Sequence, residues 1–178
     1  LYLIPVSLGP ASTGLTTPAE VGARARSLDY FVVENARTAR AELKRFEHPR
    51  PMRELDIREL PEKPGPADLD SLLAPLLAGR DAGLMSEAGC PAVADPGALL
   101  VRRAHEAGIR VVPMVGPSSL LLALMASGLN GQSFAFHGYL PVDEEARKKR
   151  IKELEAESAR LSRTQLFIET PYRNDRMF

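Results

Sequence analysis

Short apolar runs alternate with stretches of helical periodicity along the first two thirds of the chain. The runs at 1–6, 29–35, 81–86 and 109–115 are rich in apolar residues and bounded by turn residues, which predicts strands. A further strand is predicted where Leu55 and Ile57 alternate with acids and arginine. Between them, apolar residues recur at the spacing of one helix face. This alternation predicts parallel βαβ units, and hence an α/β fold with a mainly parallel sheet and helices on both faces.

Local signals predict where two of the helices begin. Thr17, Pro18 and Glu20 occupy N-cap, first-turn and capping-box positions, so we expect a loop as far as Thr17 and then a helix to about Ser27. Asp95 precedes a proline and a helical segment, which predicts that its carboxylate caps that helix.

Gly116 is predicted to be a hinge between two domains. The N-terminal α/β domain is expected at 1–115, and an incomplete C-terminal α/β domain at 116–178. The second domain is predicted to contain a very apolar helix, a strand at 133–140, a charged helix at about 143–160 and a strand at 164–170. Elements that follow Phe178 in related proteins are expected to complete it.

Composition and motifs exclude several classes of protein. Lysine plus arginine and aspartate plus glutamate both number 23, so any attraction to nucleic acid has to be local. One cysteine and three scattered histidines argue against a disulfide or a metal site and favour a cytoplasmic protein, and no apolar run is long enough to span a membrane. The glycine signature of dinucleotide sites, the lysine of nucleotide phosphate loops and the nucleophile elbow are all missing.

Ligands of open α/β sheets bind outside the carboxyl ends of the strands, which makes the loops at 7–16, 35–38, 86–95 and 116–119 the candidate site. The third loop lies in SEAGCPAVADPG, where two glycines permit close approach of a ligand and two prolines stiffen the backbone. An ordinary connection with helix capping explains that pattern equally well. Cys90 is expected to be a small buried thiol, because no histidine lies near it in sequence to activate it.

Six segments in order resemble the tetrapyrrole methylase superfamily of S-adenosylmethionine-dependent methyltransferases. Within it, the chain is most similar to the ribosomal small-subunit RNA cytidine 2′-O-methyltransferases. The segments are LYLIPVSLG, VVENARTAR, LMSEAGCPAVADPG, VPMVGPSSLLLALMASGL, FAFHGYLP and FIETPYR.

The resemblance implies two α/β domains with a cofactor cleft between them, S-adenosyl-L-methionine as cofactor, small-subunit ribosomal RNA as substrate and a homodimer. The residues that it assigns to the cofactor are Leu8, Gly9, Glu87, Gly89, Cys90, Val93, Ser118, Ser119 and Leu140. It makes the motif that contains Glu34 and Arg37 the acceptor side, and Asp95, Glu169 and Arg173 are further candidates for substrate binding near the cleft. The carboxylates Glu34, Glu87, Asp95 and Glu169 are candidates for a general base, and none is assigned as catalytic.

Departures from the family pattern keep other functions open. The chain has Glu34-Asn35-Ala36-Arg37 where the ribosomal enzymes have Glu-Asp-Thr-Arg, its first loop lacks their asparagine, and Cys90 replaces their threonine. A methyltransferase for a tetrapyrrole or a protein side chain is one alternative, and a non-catalytic nucleotide-binding module is another. The basic run within 146–152 predicts either a solvated amphipathic helix or a patch that contacts RNA phosphates.

Overall fold

The computed structural model describes residues 1–9 and 13–170. Fourteen α-helices and strands lie within them, together with one turn of 3₁₀ helix at Met52–Glu54. They are, in chain order, β1 (Tyr2–Leu3), α1 (Thr13–Thr16), α2 (Ala19–Ser27), β2 (Tyr30–Val33), α3 (Ala36–Arg45), β3 (Asp56–Glu59), α4 (Pro66–Leu77), β4 (Gly83–Met85), α5 (Gly97–Glu106), β5 (Val112–Pro113), α6 (Ser119–Ser127), β6 (Phe134–Tyr139), α7 (Glu144–Leu161) and β7 (Thr164–Ile168). The chain forms two compact units, Leu1–Ser119 and Leu120–Phe178. The predicted domains 1–115 and 116–178, and the predicted cleft between them, stay predictions.

The first unit contains a five-stranded sheet in the order β3-β2-β4-β1-β5. Every pairing within it is parallel. This confirms the α/β fold class expected from the alternation of strands and helices. The order places β1 in the interior of the sheet, between two strands that follow it in the chain.

Helices cover both faces of this sheet. Successive residues of a strand point to opposite faces, so β2 contributes side chains to the core on each side. Phe31 and Val33 of β2 belong to a buried cluster with residues of α2 and α3. Tyr30 and Val32 belong to a second cluster with residues of α4 and α5. All four residues of β2 are therefore buried, as expected for a central strand of a parallel sheet.

Ion pairs join the amino ends of the strands. Arg80, just before β4, donates to Asp29 at 3.0 Å and to Asp56 at 2.9 Å. The guanidinium of Arg80 also lies 5.0 Å from the ring centre of Tyr30, and that of Arg58 lies 5.1 Å from it. The hydrogen bond from Arg80 lowers the pKa of Asp29, and the hydrogen bond from Arg58 lowers the pKa of Asp56. These contacts stabilise the end of the sheet opposite to the candidate site.

The predicted start of α2 is wrong. Pro18 is the N-cap residue, with φ −56° and ψ 144°, and no side chain caps this helix. Because Thr17 lies one residue before the cap, its hydroxyl is buried without a hydrogen-bond partner, and the predicted capping box with Glu20 does not form. The segment that was expected to be a continuous loop also contains the short helix α1.

In the second unit, β6 and β7 pair in parallel and α7 connects them. Asp143 caps α7 by accepting from the amide of Ala146 at 2.9 Å. The ring of His137 on β6 contacts Gln165 of β7 at 2.5 Å and Arg150 of α7 at 3.3 Å. His137 therefore links the three elements of this unit.

Candidate functional site

The connections that leave β2 and β4 diverge, although these two strands are neighbours. The chain leaving β2 passes through α3 to β3 at one edge, whereas the chain leaving β4 passes through α5 and across β1 to β5 at the other edge. In open α/β sheets, a ligand crevice forms where neighbouring connections diverge in this way. Glu34 follows β2, and its Oε2 accepts from the amide of Glu87 after β4 at 2.9 Å. This hydrogen bond spans the point of divergence.

The loop after β1 is paired with the loop after β4. The amide of Val6 donates to the carbonyl of Gly89 at 2.9 Å, and the amide of Gly89 donates to the carbonyl of Val6 at 3.2 Å. Gly89 has a φ of +73°, and a Cβ placed on it would lie 3.3 Å from Leu8 and 3.4 Å from the carbonyl oxygen of Pro117. Three of the predicted loops therefore meet at one glycine.

The segment after β5 closes on the same place. A Cβ on Gly116 would lie 2.1 Å from the Cβ of Pro5, so only glycine fits there. The Cys90 thiol donates to the carbonyl of Pro117 at 3.3 Å. Burial raises the pKa of Cys90, so the thiol stays protonated at neutral pH and is not an activated nucleophile. Cys90 is half-buried, so it is less buried than the sequence predicted. Ser118, next to Pro117, is also half-buried.

Asp95 holds the turn that precedes α5. Its carboxylate accepts from the amide of Ala92 at 3.0 Å and from the amide of Gly97 at 2.7 Å. Ala92 and Ala94 have φ values of +66° and +62°, and such left-handed residues persist only when their surroundings hold them. Burial is the main cause that raises the pKa of Asp95 to about 6, and the charge of Glu34 adds to it. The prediction that Asp95 caps α5 is wrong by one residue, because Pro96 is the N-cap and no side chain caps this helix. The carboxylate instead holds the turn before the helix by accepting from the amide of Gly97.

A water-sized cavity of about 10 Å³ lies between Glu34, Asp95 and the ends of β4. It is too small for a substrate, because about one water fills such a volume. The predicted roles of Glu34 and Asp95 in substrate binding stay predictions.

The start of α3 carries the predicted acceptor motif. Asn35 caps the helix by accepting from the amides of Arg37 at 2.9 Å and Thr38 at 3.2 Å. The side chain of Arg37 is exposed. Further along α3, the buried Glu42 accepts from the amide of Ser7 in the first loop at 3.1 Å. Sequence reasoning missed Glu42, and only its place among the inward positions of the helix could have revealed it.

The structure brings together part of the predicted set of site residues. Leu8, Gly89 and Cys90 adjoin one another and Pro117 in the first unit, Glu34 contacts the loop that carries them, and Val93 lies on that loop with an exposed side chain. Gly9, Glu87 and Ser119 are exposed residues of the same unit. Leu140 and Glu169 belong to the second unit. Leu140 is buried, whereas Glu169 is half-buried and its Oε1 accepts from the amide of Thr170 at 2.8 Å. Arg173 lies outside the described residues.

The second unit has a groove of about 700 Å³ along α7 and β7. None of the predicted site residues within 1–9 and 13–170 lines it. On α7 itself, Lys148 pairs with Glu144 at 2.7 Å and Arg150 pairs with Glu153 at 3.2 Å. These pairs favour the interpretation of α7 as a solvated amphipathic helix.

No group of three or more histidine, cysteine or carboxylate side chains is placed to hold a metal ion within residues 1–9 and 13–170. Over the same ranges, no helix combines the length and the apolar character needed to cross a membrane.

The curated relatives that the chain matches share one name. No family model matches the chain. The chain is 44% identical over 102 residues to ribosomal RNA small subunit methyltransferase I of Vibrio cholerae, which is 57% of this chain and 34% of the relative. It is 43% identical over 104 residues to the protein of that name from Escherichia coli O157:H7, with 58% of this chain and 35% of the relative covered.

The protein of the same name from Mesorhizobium japonicum is 47% identical over 102 residues, or 57% of this chain and 33% of the relative. The chain thus spans about a third of the length of the curated relatives that it matches. Over the aligned residues it is a homologue of the ribosomal RNA small subunit methyltransferases I, which confirms the resemblance predicted from its motifs.

Proposed function

We propose that this protein transfers a methyl group from S-adenosyl-L-methionine to small-subunit ribosomal RNA, at the ribose 2′-hydroxyl of a cytidine. The identity of 40% or more to proteins named ribosomal RNA small subunit methyltransferase I carries this proposal. The meeting of three loops at Gly89, at the edge of the sheet where ligands of α/β folds bind, is compatible with it.

The residues at this meeting point fit a compact donor. A Cβ on Gly116 would overlap Pro5, and a Cβ on Gly89 would press on Leu8 and on the carbonyl of Pro117, so the three loops pack closely and bring their backbone groups together. Leu8 and Val93 offer apolar surface at the mouth of the loops, and their exposed fractions are 39% and 48%. Adenosine and methionine need this combination of apolar surface and backbone hydrogen-bonding groups.

S-adenosyl-L-methionine supplies the activated methyl group on its sulfonium. The chain itself then has to hold the acceptor hydroxyl in line with that methyl and keep water away. The hydroxyl proton has to leave, and a carboxylate near the crevice would accept it. Asp95 is the least suited to this task because both of its oxygens already accept from loop amides. Glu34, which follows β2, and Glu87, which follows β4, are the better candidates for the general base.

RNA contacts are proposed at the start of α3. The chain has no net charge, so phosphate binding depends on local cations, and Arg37 and Arg40 present exposed guanidinium groups on this helix.

The predicted homodimer and cytoplasmic location belong to the same proposal. Exposed apolar residues of α6, namely Leu121, Leu122 and Met125, would suit a subunit interface, and sedimentation of the purified protein tests this.

Methylation of purified small ribosomal subunits tests the proposal. The protein is incubated with methyl-labelled donor and subunits, and the labelled RNA is digested to nucleosides. The expected product is a labelled 2′-O-methylcytidine. Label that appears only on a porphyrinogen or on a protein would support the alternative methyltransferases and contradict the RNA substrate.

A non-catalytic nucleotide-binding module is the second candidate. The substitution of Asn35 and Ala36 for the Asp-Thr of the acceptor motif favours it. Calorimetry with S-adenosylhomocysteine separates the possibilities when it is read beside the methylation assay. Binding without turnover on any of the three acceptors would identify the binding module.

A further inference from the structure

Glu42 is a buried carboxylate that joins α3 to the loop after β1. The residue is only 6% exposed. Its Oε1 accepts from the amide of Ser7 at 3.1 Å, and its Oε2 accepts from the Ser7 hydroxyl at 3.1 Å. Burying a carboxylate is costly unless hydrogen bonds and an opposite charge compensate it. Both oxygens of Glu42 are directed to one residue of the first loop.

Arg45 provides the opposite charge and a second link to the loop. Its Nη1 lies 3.2 Å from Oε2 of Glu42 and donates to the carbonyl of Gly9 at 3.2 Å. The same nitrogen donates to the Ser7 hydroxyl. Glu42 and Arg45 therefore hold the loop at both ends of the short segment 7–9.

Packing of α3 on the sheet does not require this carboxylate. Ala39 and Leu43 are buried at 1% and 0% exposure and belong to the cluster that covers this face. An apolar side chain in place of Glu42 would bury more surface without any cost of removing a charge from water. The contacts of Glu42 are thus better explained by what they do to the loop.

We infer that Glu42 is a positioning residue for the methyl donor, because it fixes the segment that carries Leu8 and Gly9. Leu8 is already in place beside Gly89, at the meeting point of the three loops. With Ser7 and Gly9 held, the loop loses little further conformational freedom when the donor binds, and such preorganisation favours affinity. This inference rests on the proposed function, since Leu8 and Gly9 contact the donor only if this site binds it.

Binding of S-adenosylhomocysteine to variants of the purified protein tests the inference. Glu42→Gln keeps the size of the side chain but removes the charge and one acceptor, so its Kd is expected to rise about tenfold. Ser7→Ala keeps the amide bond and loses only the hydroxyl, so its Kd is expected to rise about threefold. Unchanged Kd values in both variants, folded as judged by circular dichroism, would overturn the inference.

Asp29→Asn is the matched control. This carboxylate also pairs with arginines, Arg80 and Arg50, both at 3.0 Å, but it lies at the amino end of β2. Its loss is expected to lower the Tm and to leave Kd within about twofold of the wild-type value. An equal rise in Kd in Asp29→Asn would mean that general destabilisation explains the effect, and would overturn the inference.

Hydrogen exchange separates failure of the inference from failure of the proposed function. A wild-type protein that binds no S-adenosylhomocysteine contradicts the proposed function. The Ser7 amide is then still expected to exchange about tenfold faster in Glu42→Gln than in the wild type, because its acceptor is weaker. Equal exchange rates at Ser7 would overturn the positioning role itself.

Discussion

At the scale of single residues, Gly89 is constrained both by its backbone conformation and by its neighbours. Its φ of +73° favours glycine, and its two nearest non-local neighbours come from the first loop and from the segment after β5. A side chain here would strain the backbone and push Leu8 and Pro117 away. Gly79, with a φ of +89°, has the same backbone requirement but open space around it.

We predict that Gly89→Ala weakens donor binding more than it weakens the fold. The left-handed backbone costs an alanine about 1 kcal/mol of unfolding free energy at either glycine. Only at Gly89 does the new methyl group also displace the loops, so only there should the Kd of S-adenosylhomocysteine rise, by about tenfold for a loss of about 1.4 kcal/mol. Urea denaturation and calorimetry on Gly89→Ala and Gly79→Ala measure both quantities. Equal Kd values in the two variants would contradict the prediction.

Asp95 is predicted to make stability depend on pH. Its pKa is about 6 in the folded protein and 3.8 ordinarily, so the folded state binds the proton more tightly. Its contribution to stability is therefore greatest below the ordinary pKa and is lost as the pH rises through 6. In Asp95→Asn nothing titrates at this position. The free energy of unfolding of the wild type minus that of the variant should therefore be larger at about pH 4.5 than at about pH 7.

Urea denaturation of both proteins at the two pH values measures this difference. Other titrating groups are shared by the two proteins, and their contributions largely cancel in the comparison. A stability difference that does not change with pH would mean that the pKa of Asp95 is not raised.

At the scale of elements, α3 joins the two sides of the candidate site. Its first residues carry the acceptor motif, and its middle holds the first loop through Glu42. Asn35, one of the departures from the family pattern, caps this helix with two hydrogen bonds. Aspartate, the residue expected there in the ribosomal enzymes, would make the same cap. The departure thus preserves the local structure.

We predict that Asn35→Ala lowers the free energy of unfolding by about 1 kcal/mol, because the amides of Arg37 and Thr38 lose their acceptor. Asn35→Asp keeps the acceptor and adds a favourable charge at the helix N-terminus, so its stability should equal or exceed that of the wild type by about 0.5 kcal/mol. Chemical denaturation measures both. If Asn35→Asp lost as much stability as Asn35→Ala, the helix cap would not explain the loss in Asn35→Ala.

Sequence patterns predicted the elements better than they predicted the connections. Runs such as 29–35 were correctly predicted as strands, because a buried parallel strand is apolar on both faces. Thr17 was wrongly predicted as a cap because the pattern of residue types also fits a threonine one position outside the helix. Pairing between β1 and β4 joins residues far apart in sequence, which no local pattern encodes.

The candidate site was predicted through its glycines and prolines, which leave a trace in the sequence because they are required by backbone geometry. Gly89 and Gly116 are examples. Glu42 left only a weak trace, its place beside Ala39 and Leu43 among the inward positions of α3. A glutamate in a helix is ordinarily exposed, and only the folded structure shows that this one faces the loop after β1.

At the scale of the whole molecule, the described burial is unequal between the two units. Apart from Leu124, Leu140 and Leu154, every buried apolar side chain of the described residues lies within Leu1–Ser119. That unit contains the complete five-stranded sheet and both buried clusters. The described part of the second unit has a two-stranded sheet, which is marginal alone in water.

We predict that residues 1–119 fold when produced without the rest of the chain. Their circular dichroism should show helix, and their thermal unfolding should be cooperative, because the apolar clusters are retained. Residues 120–178 alone should show no cooperative transition. The prediction is wrong if the first fragment is unfolded or if the second unfolds cooperatively.

The interior position of β1 has a consequence for synthesis. Both of its partner strands follow it in the chain, and a ribosome makes the segment 1–6 about eighty residues before Gly83. Throughout that interval this apolar segment has no sheet to join, and its backbone can pair with other nascent chains. We therefore expect the fraction of newly made polypeptide that escapes aggregation to depend on the pace of translation and on chaperones.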